Sequence, residues 1–397
     1  MRRVGRVSEV FRAFLRLGVT SFGGPVAHLG YFRDDLVVRR KWMDDRAYAD
    51  LVALCQFLPG PASSQVGFAM GLQRAGIAGA LAAFVAFTLP SAALLVAFAG
   101  GAALVDGPIG EGLIAGLKIV AVAIVAHAVL GMARTLTPDA PRAGIAVAGL
   151  ALALLLPGAP GQLGALAVGV VAGLFLLRGR AEPTGPSLPP FGVPRGVAVA
   201  CLAVFLGLLI ALPVLAAVTG SGAVMLGDAF YRAGALVFGG GHVVLPLLQG
   251  GVVEPGWVAP DTFLTGYAAA QAVPGPLFTF AAYLGDVSTV GPGGVAGAGI
   301  ALAAIFLPGF LVLVGVLPFW DAVRDKPRIR AAMRGANAAV VGILAAALYT
   351  PVFTTAVTGP GPFVLAAIGF VLLTAFRAPA WAVVLVGAAG GVVLAVT

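Results

Sequence analysis

The sequence predicts an all-α, polytopic integral membrane protein made of two inverted-topology homologous halves with broken, re-entrant helices. Three observations carry that expectation: the composition, a ladder of helix-length apolar runs, and a series of motifs that occurs twice. Of 397 residues, 60% are hydrophobic and 10% are charged, with a mean hydropathy of +1.04. Soluble domains carry about 45–50% apolar and about 25% charged residues, so this excess of apolar surface calls for a bilayer as its solvent.

The apolar runs fall at 9–30, 47–71, 76–104, 112–133, 142–157 and 160–177. A Pro/Gly-rich linker (178–195) and a run at 196–218 follow, and then a second series at 225–250, 262–285, 294–318, 332–350, 361–376 and 379–396. Helix-length runs in lipid must satisfy their backbone internally, which makes them helices. The expected organisation is a first repeat over 1–177, a linker plus an extra transmembrane helix over 178–224, and a second repeat over 225–397.

The repeat is legible residue by residue. Phe22-Gly23-Gly24 aligns with Phe238-Gly239-Gly240, and Trp42 with Trp257. Gln56 and Pro59-Gly60-Pro61 align with Gln271 and Pro274-Gly275-Pro276, and Leu89-Pro90 with Leu307-Pro308. The offset stays near 215 residues, as a duplication requires.

Charge gives the topology. The net charge of +8 comes mostly from arginines between apolar runs, which is a positive-inside pattern and not a nucleic-acid footprint. If the first two runs of each half return to the side they entered from, then Arg39-Arg40-Lys41, Arg74 and the N-terminus share the cytoplasmic side. The loops bearing Glu254, Asp261 and Asp286 then face outward. Five crossings separate the halves, and an odd number inverts the second. Cys55 and Cys201 lie inside apolar runs, so no disulfide framework is expected, and no cleaved signal peptide is read at the basic start.

The motifs point to an anion. Two prolines flanking a glycine break a helix, and a break at membrane depth is tolerated only in protein or beside a wet cavity. The second proline suits the first turn of a new helix, whose free N–H groups face the break. Matched breaks in inverted repeats mark transporter sites near the midplane. Pro59, Gly60, Pro61, Pro274, Gly275 and Pro276 are therefore candidate substrate-binding residues. Ser63, Ser64, Gln65 and Thr279 supply donors just after the breaks.

Phe22, Gly23, Gly24, Pro25, Phe238, Gly239 and Gly240 form a second pair of breaks, which either line the site or pack helices. Gln56 and Gln271, as buried amides, either tie the halves together or touch substrate. Arg16 and Arg232 offer guanidinium forks that suit an oxyanion, although Arg16 also fits a headgroup-snorkelling role. His242 joins the binding set, while Arg16, His28, Lys118 and Arg334 are candidates for charge or proton coupling.

No metal-ligand spacing, P-loop or zinc-protease motif is present, and carboxylates lie nearly all in loops. The expectation is a gradient-driven transporter with no cofactor and no enzymatic activity. A passive anion channel on the same scaffold is the alternative, with an intramembrane enzyme acting on lipid phosphates further behind. Gly-rich surfaces suit either a homodimer or packing between the halves.

The series Ser21-Phe22-Gly23-Gly24-Pro25, His28, Trp42, Gln56, Pro59-Gly60-Pro61, Gly71, Gly76, Gly79 and Leu89-Pro90 resembles the chromate ion transporter family. Phe238-Gly239-Gly240, Trp257, Pro274-Gly275-Pro276 and Leu307-Pro308 resemble that family's second domain. The resemblance implies an inner-membrane exporter of chromate, with sulfate as the related tetrahedral dianion, energised by the proton-motive force or by anion exchange. The second half departs at Val237 and Gly241, where the first has Ser21 and Pro25, so unequal contributions from the halves are expected.

Overall fold

The computed structural model describes residues 2–22, 24–102, 107–156, 159–177, 191–238, 243–320 and 326–396, and among them every regular element is helical. Gly23, Gly239, Gly240, Gly241 and His242 lie outside the described residues.

The first half opens with α1 (Arg2–Thr20) and α2 (Gly24–Phe32), the latter extended by a π-helical turn over Arg33–Arg39. Next come α3 (Asp45–Phe57) and α4 (Ala62–Ala102). Asp44 caps α3 by accepting from the Ala47 amide at 2.8 Å, which satisfies a donor that the first turn leaves without a partner. α4 is two legs: Ala75 and Gly76 leave helical geometry, with φ +68° at Gly76. α5 (Pro108–Leu136), α6 (Ala140–Leu155) and α7 (Ala159–Leu176) complete the half, followed by α8 (Arg195–Thr219).

The second half repeats the order. It runs through α9 (Gly222–Leu236), α10 (Val244–Leu248, π-extended over Gln249–Val253), α11 (Pro260–Ala272), α12 (Phe280–Val287, after a 3₁₀ turn at Leu277–Thr279) and α13 (Gly294–Val316). It ends with α14 (Pro327–Ala347), α15 (Pro360–Thr374) and α16 (Ala380–Val396).

The first two segments of each half are re-entrant. α1 leaves from Glu9 and ends at Thr20, and the chain comes back through α2 to Trp42, whose indole Nε1 donates to Glu9 at 3.1 Å. α3 leaves beside it, the chain breaks at 58–61, and the first leg of α4 returns to Arg74, which pairs with the same Glu9 at 2.9 Å. The mirrored position in the second half is closed by backbone: Thr289 N and Oγ1 donate to the Trp257 carbonyl at 3.0 and 3.1 Å. The return legs then turn into full-length helices by close glycine approaches, Gly71 against Gly79 and Gly285 against Gly297, where a Cβ would meet backbone.

Among the described residues, five stretches are long and apolar enough to cross a bilayer: Ala62–Gly101, Pro108–Leu136, Arg195–Thr219, Gly294–Phe319 and Pro327–Ala356. α6 and α7, of 16 and 18 residues, span about 1.5 Å per residue and fall short of the roughly 30 Å hydrocarbon core. They act as a hairpin, so they count in the topology as a pair, and the number of crossings between halves stays odd. The second half is therefore inverted.

The halves exchange partners. α5 packs on α15 and α16, and α14 packs on α6 and α7. The Gly-rich faces are consumed here: Gly116 lies against Gly387, and Gly169 against Gly335, with no room for a side chain. Small residues let backbones approach closely where no hydrophobic force separates helix from lipid. α8 lies at the periphery beside α9 and α13, with nearly all of its length outside the protein core.

Candidate functional site

At the centre, each PGP break meets the residue that precedes the FGG motif of the other half. Gly60 N donates to the Val237 carbonyl at 2.8 Å, and Gly275 N donates to the Ser21 carbonyl at 2.9 Å. Both glycines need a φ that side-chain-bearing residues avoid, +115° and +103°. A Cβ on Gly60 would lie 2.9 Å from Gly309 Cα, and one on Gly275 would lie 2.7 Å from Ser91 Oγ. Ser91 and Gly309 are themselves repeat-equivalent, since each follows the Leu-Pro pair. The crossing is thus a two-fold arrangement of backbone, built by motifs 215 residues apart.

The side chains around the crossings are not two-fold. In the first half, Ser21, His28, Ser63, Ser64, Thr88 and Ser91 are all buried, at 0–4% exposure. His28 Nδ1 sits 3.4 Å from Ser63 Oγ, and the imidazole meets the Phe87 ring edge-on at 5.3 Å. The repeat-equivalent positions hold Val237, Val244, Phe278, Thr279, Phe306 and Gly309. Phe306 and Phe310 pack there against Phe68 and Phe84, with Phe278 against Phe306 and Phe68 stacking on Phe310 at 4.3 Å. One crossing is lined by hydroxyls and an imidazole, the other by aromatic rings and the Gln65 amide.

The helix N-terminus at Ala62 opens onto the first-half break, as the sequence predicts. Ser64 Oγ is buried without a hydrogen-bond partner, whereas Thr279 Oγ1 donates to the Pro276 carbonyl at 2.7 Å, so that hydroxyl serves its own turn. Gln65 bridges the halves: its Nε2 donates to Pro59 O at 2.9 Å and to Gly309 O at 2.8 Å.

Several expected residues sit elsewhere. Gln56 is exposed on α3 and is not the buried amide that its spacing suggested; Gln65, at the start of α4, holds that role. Gln271 is half-buried, with an unpartnered Nε2. Arg16 lies on the exposed face of α1. Arg232 is half-exposed and paired with Asp228 one turn earlier on α9, and it lines a cavity of about 400 Å³ with Gln162, Glu254 and Trp257. Lys118 of α5 reaches Asp261 at the start of α11 at 3.1 Å, which makes it a tie between halves. Arg334 is half-buried in α14, while Phe22, Gly24, Pro25 and Phe238 are half-buried at their turns.

Sequence reasoning passed over Ser21, Thr88, Ser91, Gln162 and Asp228. Asp228 is a buried carboxylate within a helix, at 6% side-chain exposure, and it corrects the view that acidic groups keep to the loops. Its spacing from Arg232, four residues on a helix, was the available signal. Thr88 carried no signal, because a lone threonine in an apolar run reads as helix filler.

A membrane protein of two inverted halves, with paired breaks crossing at its centre, is a transporter by architecture. The chain belongs to the chromate transporter family: the family model "Chromate transporter" matches residues 8–177 and 224–392. The chain is 31% identical to the chromate transport protein of Cupriavidus metallidurans, over 84% of this chain and 80% of that protein. It is 29% identical to the chromate transport protein of Pseudomonas aeruginosa, over 85% and 79%. It is also 29% identical to the probable chromate transport protein of Synechococcus elongatus, over 86% and 84%. No solved structure matches the chain.

Proposed function

We propose that the protein is a secondary active transporter that exports a tetrahedral oxyanion, chromate foremost and sulfate as the related substrate. It works from a bacterial inner membrane, with its N-terminus in the cytoplasm. The reciprocal crossing of Gly60 with Val237 and of Gly275 with Ser21 carries this reading. Two re-entrant breaks meet there with a helix N-terminus and buried polar side chains left without partners, and such a site suits an anion. The names of the three relatives supply the substrate class. The orientation follows from Arg39, Arg40, Lys41 and Arg74 lying on the side from which α1 and α3 leave.

The test is radiolabelled chromate and sulfate flux in proteoliposomes, with and without a pH gradient or an internal counter-anion. Saturable, trans-stimulated flux that is lost in Pro61→Ala is expected. Flux that neither saturates nor responds to counter-anion would make the protein a channel, and no flux of either dianion under any gradient would remove the substrate.

A further inference from the structure

We propose that the anion is coordinated by the first half alone, at the crossing of Ser21 with Gly275. Ser21, His28, Ser64 and Thr88 form its polar shell, and Ser21 and Thr88 set its affinity. This rests on the anion-transport reading above and names the residues that carry it.

Four buried atoms at this crossing have no hydrogen-bond partner: Ser21 Oγ, His28 Nε2, Ser64 Oγ and Thr88 Oγ1. Leaving a buried polar group unsatisfied costs stability, so a cluster of four around one backbone crossing requires a cause. Thr88 is the sharpest case. Helical threonines commonly return their hydroxyl to the carbonyl four residues earlier, and Thr20, Thr135, Thr137, Thr219, Thr265 and Thr374 all do so. Thr88 does not, although it lies inside α4 and is 1% exposed. Its own carbonyl is held by Ser91 Oγ at 3.1 Å, and Ser91 Oγ is the atom beside Gly275.

Contacts link His28 to Ser63 and Phe87, Phe87 and Ser91 to Gly275, and Gly275 to Ser21. Thr88 follows Phe87 and gives its carbonyl to Ser91, and Ser64 follows Ser63 at the start of α4. Among the described residues, none of these contacts involves an arginine or lysine. The groups are neutral donors that ligate oxyanion oxygens by hydrogen bonds. The mirrored crossing cannot take the same role, because Val237, Val244, Phe278 and Phe306 occupy the equivalent positions.

The test is equilibrium binding of radiolabelled sulfate and chromate to the full-length protein in lipid nanodiscs. Ser21→Ala and Thr88→Val should each raise Kd by about tenfold to a hundredfold, the range for a lost hydrogen bond to a charged group. Thr88→Ser, which keeps the hydroxyl, should hold Kd near the native value. Thr135→Val, at an exposed helical hydroxyl, is the control. Melting temperature without anion separates unfolding from lost affinity. If Thr88→Val itself unfolds, Thr88→Ala and Thr88→Ser compared at lower temperature read the same hydroxyl.

Native binding with unchanged Kd in folded Ser21→Ala and Thr88→Val would assign these atoms to ordered water and overturn the proposal, while leaving the transporter reading in place. No binding of either dianion by the native protein would remove both.

Discussion

The two central crossings share a backbone and differ in chemistry. At each, a positive-φ glycine from one half donates to the carbonyl that precedes the other half's FGG motif. Around Ser21 the lining is polar and partly unpartnered; around Val237 it is Val244, Phe278 and Phe306. Duplication therefore preserved what the fold demands of the main chain and released the side chains. An inverted pair of breaks needs both halves to close, but one polar face is enough to hold one ion.

The largest expected effects fall on what the crossings share. Gly60→Ala and Gly275→Ala each combine about 1–3 kcal/mol of backbone strain with about 1–3 kcal/mol of overpacking. Both should abolish flux and lower the melting temperature in detergent. The comparison sharpens in the rescue: the Gly275 clash is with the Ser91 hydroxyl, so Ser91→Gly should partly restore Gly275→Ala. Gly60 meets the Gly309 backbone, where no such relief exists.

Next is Gln65→Leu, which leaves Pro59 O and Gly309 O without their shared donor. It should destabilise by about 1–3 kcal/mol, read by denaturant unfolding. A smaller effect is expected from exchanging residues between the crossings. Ser21→Val combined with Val237→Ser moves the hydroxyl to the aromatic side and should weaken sulfate binding about tenfold or more, with no recovery from the second change. Recovery would mean that the crossings are interchangeable. The smallest effect is Lys118→Met: its partner Asp261 is 63% exposed, and such pairs contribute about 0–1 kcal/mol, so the melting temperature should barely move.

Much of this architecture was legible in the sequence. The apolar runs anticipated the helices closely, 294–318 against Gly294–Val316 and 196–218 against Arg195–Thr219. The re-entrant geometry followed from Arg39, Arg40 and Lys41, because ordinary spans would have placed them on the wrong side. The breaks at Pro59 and Pro274 were legible because proline and glycine act on the backbone locally.

The polar lining was not, since burial and pairing are properties of the assembled halves. Gln56 repeats as Gln271 and looked like the buried amide, but helical phase turns it outward. Gln65, which has Phe280 as its equivalent, makes the actual bridge. Arg16 and Arg232 drew attention as cations within apolar runs, whereas the orphaned atoms lie on Ser21, Ser64 and Thr88, residue types too common to stand out. Val237 in place of Ser21 was the one visible hint that the halves differ.

The most direct test of that asymmetry compares two equivalent positions, Ser64 and Thr279, as single cysteines in a protein with Cys55 and Cys201 replaced by alanine. Thiol-reagent labelling is followed during turnover in proteoliposomes, with and without saturating sulfate. Sulfate should slow labelling of Ser64→Cys and leave Thr279→Cys unchanged. Equal protection at both positions, protection at Thr279→Cys alone, or no labelling of Ser64→Cys during turnover would contradict a first-half anion site.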